Sequence, residues 1–180
     1  MCVRARTWLH KYGDTRKIPA WGKFWLACLG VYEWEGMNPI PPELWLFPYA
    51  FPLHPGRMWC HTRLVYLPMS YIYAKRLTPP CTPLTDALRA ELYTIPYEDI
   101  KWKSCRNQVA ETDLYSPHSK FLNFVNGALS FMEMLPGASW MRRKACDEAL
   151  KHIRYEDDFT QFLCLGPVSC FLYLFPVFLN

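Results

Sequence analysis

The chain has 180 residues, among them 8 Trp, 11 Tyr, 11 Phe and 16 Pro, and a formal net charge of +4. That charge is mild and spread along the chain, with no basic tract or repeated stacking motif, which argues against a nucleic-acid partner. The 8 cysteines form no CxxC pair and show no metal spacing with histidine, so neither a disulfide framework nor a metal centre is expected. No cofactor motif is visible either, and the plain reading is a reduced, cytosol-facing protein. Arg4, Arg6, His10 and Lys11 interrupt any signal-peptide core. No run reaches the roughly 18 apolar residues that span a bilayer, so a membrane contact would be one made by lying on the surface.

In chain order, Val3 to Lys11 reads as a short basic helix ended at Gly13. After Pro19 a second helix is expected from Trp21 to about Tyr32, with Trp21, Trp25, Cys28 and Leu29 along one apolar stripe. Glu33 to Pro55 is proline-rich and sustains no period. Pro42 to Leu46 suits one helical turn, and Trp34, Trp45, Phe47, Tyr49 and Phe51 should hold the rest in order.

The stretch from His54 to Tyr73 is the densest in aromatic and cationic side chains. An extended entry after Pro55 should lead into a helix starting near His61 or Thr62, which Pro68 kinks or ends. On a helix, Trp59, Thr62, Arg63, Tyr66, Ser70 and Tyr73 share one face, and His61, Leu64, Val65, Pro68 and Ile72 the other. Trp59 and His61 address one cavity only if the chain is still extended around Cys60, because alternate residues face the same way at period two. The plain account is an aromatic-rich core helix with Arg63 held by a buried carboxylate.

Lys75-Arg76 and Pro79-Pro80 close this helix, and Thr85 or Asp86 caps the next one, through about Tyr93. A turn follows at Pro96 to Ile100, then a polar surface stretch from Lys101 to Gln108. Ser116-Pro117-His118-Ser119 precedes a helix of Lys120 to Met134, with Phe121, Leu122, Val125, Leu129 and Met132 at the helical period. His118 suits a capping or hydrogen-bonding role rather than a site. After Pro136-Gly137, a helix from Ser139 to about Tyr155 sets Arg142, Arg143 and Lys144 opposite Ala145, Ala149 and Ile153. Glu156-Asp157-Asp158 has the look of paired carboxylates, yet fits better as a solvated helix terminus or a set of caps. Phe159 to Leu165 begins another helix ended by Gly166-Pro167. Phe171 to Leu179 is a bare apolar string. No pair of strands with hairpin chemistry occurs, so the fold class is all-α.

The runs WGKFWLACLGVYEWEGMNPIPPELWLFPYAFPLHPGR and MWCHTRLVYLPMSYIYAKRL, followed in order by DLYSPHS, YEDD and LGPVS, resemble the oxidosqualene cyclases, the lanosterol and cycloartenol synthases. The resemblance runs from Val3 to Ser169. It implies that residues 1–169 are part of one α/α-barrel half. Residues 170–180 depart from the pattern as an atypical apolar tail, for which an unspliced or misread gene end is the first explanation. Met1 falls close to the start of an element internal to the family, another hint of a fragment.

By this resemblance the enzyme would be an intramolecular transferase. Family members protonate the epoxide of 2,3-oxidosqualene, guide a ring-forming cation cascade and remove one proton to give a sterol or triterpene. Trp21 and Trp59 match aromatics of the cavity wall, though Trp21 equally suits plain core packing. His61 matches the histidine near the late cation, where it steers rearrangement or accepts the final proton with a Tyr. Thr62 and Tyr66 match the constriction between a membrane-side channel and the cavity, where many members carry Cys in place of Thr62. Arg63 anchors the segment. His61, rather than the Tyr of pentacyclic-triterpene formers, favours a sterol product, lanosterol first and cycloartenol next.

The epoxide-protonating Asp of an Asp-Cys-Thr-Ala motif does not occur in this sequence, so the remainder of the cyclase is an implied partner and the chain alone should be inactive. The implied place is the cytosolic face of the endoplasmic reticulum or a lipid droplet, as a monotopic protein. From the residues alone, electron-rich rings attract a cation at about 0.5–2 kcal/mol each when desolvated, so a wall of Trp and Tyr can stabilise a carbocation without attacking it. The alternative is a non-catalytic, aromatic-rich helical binding module.

Overall fold

The computed structural model describes residues 3–52, 54–114, 119–133, 137–161, 163 and 167–179. Seven helices lie in these residues: α1 (Val3–Lys11), α2 (Ala20–Cys28), α3 (Cys60–Lys75), α4 (Pro83–Leu92), α5 (Lys120–Met132), α6 (Ala138–Thr160) and α7 (Pro167–Leu179). Short 3-10 turns lie between α1 and α2, α2 and α3, and α4 and α5, and the described residues contain no strand, in keeping with an all-α class. The chain divides into two compact units, Met1–Asn38 with Thr78–Gly127, and Pro39–Leu77 with Ala128–Asn180.

The first unit is pinned by polar side chains buried among aromatics. Asp14, 2% exposed, follows α1 with φ 56° and accepts hydrogen bonds from the Arg16 N–H, the Arg16 guanidinium and both the N–H and hydroxyl of Thr94. Burial pushes its carboxyl up, but these donors outweigh it and hold the group below the usual carboxylate range. The end of α1 is thereby tied to the residues after α4. An Arg6–Glu91 ion pair at 2.7 Å joins the two helices themselves.

Helix α2 is shorter than the sequence suggests and buries a different face. Gly30, at φ +72°, turns the chain left-handed two residues past Cys28, and Arg89 then seizes its carbonyl with Nε and Nη2 at 3.0 and 2.7 Å. The buried residues are Lys23, Phe24, Ala27 and Cys28, whereas Trp21 and Leu29 of the expected stripe are about half exposed. Lys23 goes inward because its Nζ donates to the carbonyls of Cys105 and Gln108, both at 2.8 Å. Those acceptors satisfy an ammonium that would otherwise be too costly to bury.

Helix α4 begins earlier than expected. Its cap is Thr82, which forms a reciprocal capping box with Thr85, while Pro83 fills the first helical position, where no N–H is needed. Helix α5 forms where the period places it, but none of its residues is buried: Phe121, Phe124 and Phe131 are 75%, 72% and 60% exposed.

In the second unit α3 packs against α6 and α7. A core of Trp45, Leu67, Tyr71, Cys146, Ala149, Ile153 and Tyr173 joins them to the 3-10 turn Pro42–Leu46. The small Ala145 and Ala149, both fully buried, let α6 approach closely. Helix α6 runs through Tyr155 to Thr160 and ends at Gln161 with φ 51°. Glu156, Asp157 and Asp158 therefore lie in its last turn and cap no later helix. Phe159 and Thr160 close α6 instead of opening another helix, and Pro167, expected to end a helix, belongs to α7. It continues without a break across residues 169 and 170, and Leu172 and Tyr173 are buried, so much of the apolar tail is helical. His118, Met134, Pro136, Leu165 and Gly166, to which the sequence assigned turns or helix ends, lie outside the described residues.

Candidate functional site

The front of α3 carries four of the five residues singled out by sequence. Pro55–Arg57 forms a 3-10 turn in which the Gly56 N–H donates to His54 Nδ1 at 3.0 Å. A Cβ at Gly56 would meet that nitrogen at 2.9 Å, so a side chain there would push the His54 imidazole out of this position. Met58 (φ −70°, ψ 157°) and Trp59 (φ −56°, ψ 143°) are extended, and the helix starts at Cys60, with the Arg63 N–H bonded to the Trp59 carbonyl at 2.9 Å.

The extended entry is thus real, but it ends at Trp59: the helix starts one or two residues before the expected His61 or Thr62, and Cys60 is helical where it was expected to be extended. Trp59 and His61 still come together, because Trp59 is the cap, outside the helix, and His61 is the second helical residue. Their ring centroids lie 4.5 Å apart with the planes at 65°, an edge-to-face pair. Trp59 is 71% exposed, and His61 and Thr62 are exposed beside it. Among the described residues no side chain hydrogen-bonds to the His61 imidazole. An imidazole so placed presents its ring nitrogens to an approaching molecule next to an indole face.

Tyr66, one turn further in, is half-buried, and its hydroxyl donates to the Pro41 carbonyl at 2.7 Å. Burial pushes its phenol far above the ordinary range, and the Glu43 carboxylate adds to this. Tyr66 therefore keeps its proton and fills space rather than acting as a base. Arg63 donates to the Gly56 carbonyl at 3.4 Å, a backbone partner where the sequence suggested a carboxylate. That contact ties the helix back onto its own entry turn.

Trp21 belongs to the first unit, on α2, with its ring edge-on to Trp25 at 5.6 Å and 87°. It is 45% exposed, so full core packing does not describe it. The other four candidates belong to the second unit.

Sequence reasoning missed a cluster behind this front. Arg142 on α6 meets Glu43 at 2.9 Å and Glu133 at 3.3 Å, and Glu133 also accepts the Tyr73 hydroxyl at 2.8 Å. A cavity of about 260 Å3 adjoins it, walled by Pro41, Leu44, Phe47 and Met132 beside Glu43 and Arg142. The sequence reading sets Arg142 on the charged face with Arg143 and Lys144, although it lies three and seven residues before the buried Ala145 and Ala149, at helical spacing, and its partner lies 99 residues earlier.

Residues 1–160 match the squalene-hopene cyclase N-terminal domain family. The chain is 51% identical to cycloartenol synthase of Dictyostelium discoideum over 93% of its own length, 46% identical to lanosterol synthase of Pneumocystis carinii over 98%, and 48% identical to lanosterol synthase of Mus musculus over 93%. It spans about a quarter of the length of these relatives, 24%, 24% and 23% respectively.

Proposed function

Because the chain belongs to the squalene-hopene cyclase family, in its oxidosqualene cyclase branch, we propose that it is part of an enzyme converting 2,3-oxidosqualene to a sterol precursor, lanosterol before cycloartenol. The observation that carries this reading is the exposed Trp59–His61 pair at the front of α3. The indole offers a face to a passing carbocation, and the imidazole beside it offers a nitrogen to the proton released last. Thr62 and Tyr66 stand one turn apart behind the pair and narrow the approach, and Trp21, on the first unit, is assigned to the cavity wall by the resemblance alone. Epoxide protonation falls to residues beyond this sequence.

The proposed place of action is the membrane surface of the endoplasmic reticulum or a lipid droplet, with the chain peripheral. Among the described residues no helix is long and apolar enough to cross a membrane.

The test is a chimera in which this chain replaces the matching segment of the Mus musculus lanosterol synthase, supplied with 2,3-oxidosqualene and analysed by mass spectrometry. The chimera should convert substrate, whereas the 180-residue chain alone should leave it untouched. In the chimera, His61→Phe should preserve consumption but divert product to prematurely quenched or differently rearranged skeletons. Trp59→Ala should lower total conversion. A single unchanged sterol at full rate from His61→Phe would make His61 structural and remove the centre of the proposal.

A further inference from the structure

We infer that Arg142 and Glu43 are positioning residues for Tyr66: their ion pair fixes the carbonyl on which the Tyr66 hydroxyl rests. The inference builds on the reading of Tyr66 as part of the approach to the site.

Among the described residues Tyr66 has one polar contact, the 2.7 Å bond to the Pro41 carbonyl. That carbonyl is only as fixed as the 3-10 turn Pro42–Leu46 that follows it, and a single short 3-10 turn has poor hydrogen-bond geometry and little stiffness of its own. Pro42 and Trp45, both buried, pack the turn into the unit, and Glu43 between them adds its polar fastening. Trp45, 7% exposed, sinks its second half into the core. Glu43 fastens its first half, the half next to Pro41, by accepting from Arg142 Nε at 2.9 Å. Both partners are shielded, with side chains 13% and 21% exposed, so water does little to weaken the pair.

Arg142 also reaches Glu133, which accepts the hydroxyl of Tyr73. Tyr66 and Tyr73 are seven residues apart on one face of α3. Arg142 thus stands between two carboxylates, one serving each phenol of that face: Glu133 directly, and Glu43 through the backbone two residues before it.

Removing the guanidinium leaves a shielded Glu43 carboxylate whose Oε2 already has no partner among the described residues. An uncompensated carboxylate must find water, and the adjoining 260 Å3 cavity gives the turn room to move toward it. The Pro41 carbonyl moves with the turn, and Tyr66 loses its seat.

The experiment places 3-fluorotyrosine at position 66 of the full 180-residue chain and follows its 19F resonance. Arg142→Met should shift and broaden the resonance, Arg142→Lys should restore it only in part because an ammonium lacks the planar fork, and Glu43→Gln should shift it too. The Glu43→Gln/Arg142→Met pair should move it no further than Arg142→Met alone, since both break one link. Glu43→Gln nearly conserves shape, so it keeps the test decisive if Arg142→Met fails to fold. An unchanged resonance in either folded variant overturns the inference. In the chimeric synthase, Arg142→Met should raise KM about fivefold, the loss of roughly one net hydrogen bond, while kcat stays within about twofold. A moved resonance with unchanged KM would leave Arg142 as the seat of Tyr66 but take Tyr66 out of the proposed approach, which separates the two failures.

Discussion

The two ends of α3 obey different rules. From Leu67 to Tyr73 the helix is buried nearly all round, with Leu67, Pro68, Ser70, Tyr71, Ile72 and Tyr73 inside. From Trp59 to Thr62 it is exposed all round, even at its indole. Exposure therefore changes along the helix axis and not around it, and the two faces drawn from periodicity do not separate inside from outside. A helix buried on nearly every side at one end and exposed on every side at the other has a packed end that holds it and a free end open to a further contact.

The comparison breaks first at the packed end. Leu67→Ala, in the core with Tyr71 and Ile153, should lower stability by about 3 kcal/mol, read as a fall in the urea midpoint at constant slope. A loss under about 1 kcal/mol would mean that the back of α3 is not the anchor it looks to be.

Next in size is Lys23, a charge buried as deeply in the first unit as those apolar residues are in the second. Lys23→Met strands the Cys105 and Gln108 carbonyls and should cost about 1–3 kcal/mol. Burial, partly opposed by Cys105, pushes the ammonium down to about 8, while the unfolded group keeps its ordinary value of 10.5. Between these values the unfolded chain binds more protons, so stability should rise with pH from about 8, by at most about 1.4 kcal/mol per pH unit. The thiols of Cys28, Cys105 and Cys146, pushed up by burial, oppose this rise above about pH 9, so the check is a difference: the stability of the native chain relative to Lys23→Met should increase between pH 8 and 9.5.

A smaller effect belongs to the middle of α3. Tyr66→Phe removes the bond to Pro41 and should cost about 1 kcal/mol, with the Pro41 carbonyl left to find water. Smallest of all, Trp59→Ala and His61→Phe should each change stability by less than about 0.5 kcal/mol, since neither side chain is packed. A larger loss at either would erase the contrast between the two ends and return the pair to a structural role.

Much of this was legible in the sequence where the cause is local. Gly13 stops α1, Pro42 opens its turn, and the extended entry after Pro55 is present, although Cys60, expected to be extended, is already helical. What escaped was set at long range or by a cap read one turn late. Lys23 counts as polar in any pattern, and only carbonyls 82 and 85 residues away bring it inside. Arg142 was assigned to a charged face, yet Glu43, 99 residues distant, turns it into a clasp. Thr82 was passed over for Thr85, although a threonine directly before a proline is itself a helix-start signal. α6 was ended at Tyr155 because its acids looked like a terminus, while no glycine or proline intervenes before Gly166 to stop it.

Pro68 sits inside α3 and is fully buried, yet the helix passes through it. Proline brings no N–H to the Leu64 carbonyl, so the ladder of bonds along the helix has a missing rung at the border between its exposed and packed ends. In the language of amide exchange, that rung is a firebreak. Fraying that begins at Cys60 can consume the first turns without reaching Tyr71, and the protons of the front should exchange orders of magnitude faster than those of the back. The aromatic pair can then yield to an incoming molecule and return on its own timescale, while the far end of the same helix stays closed.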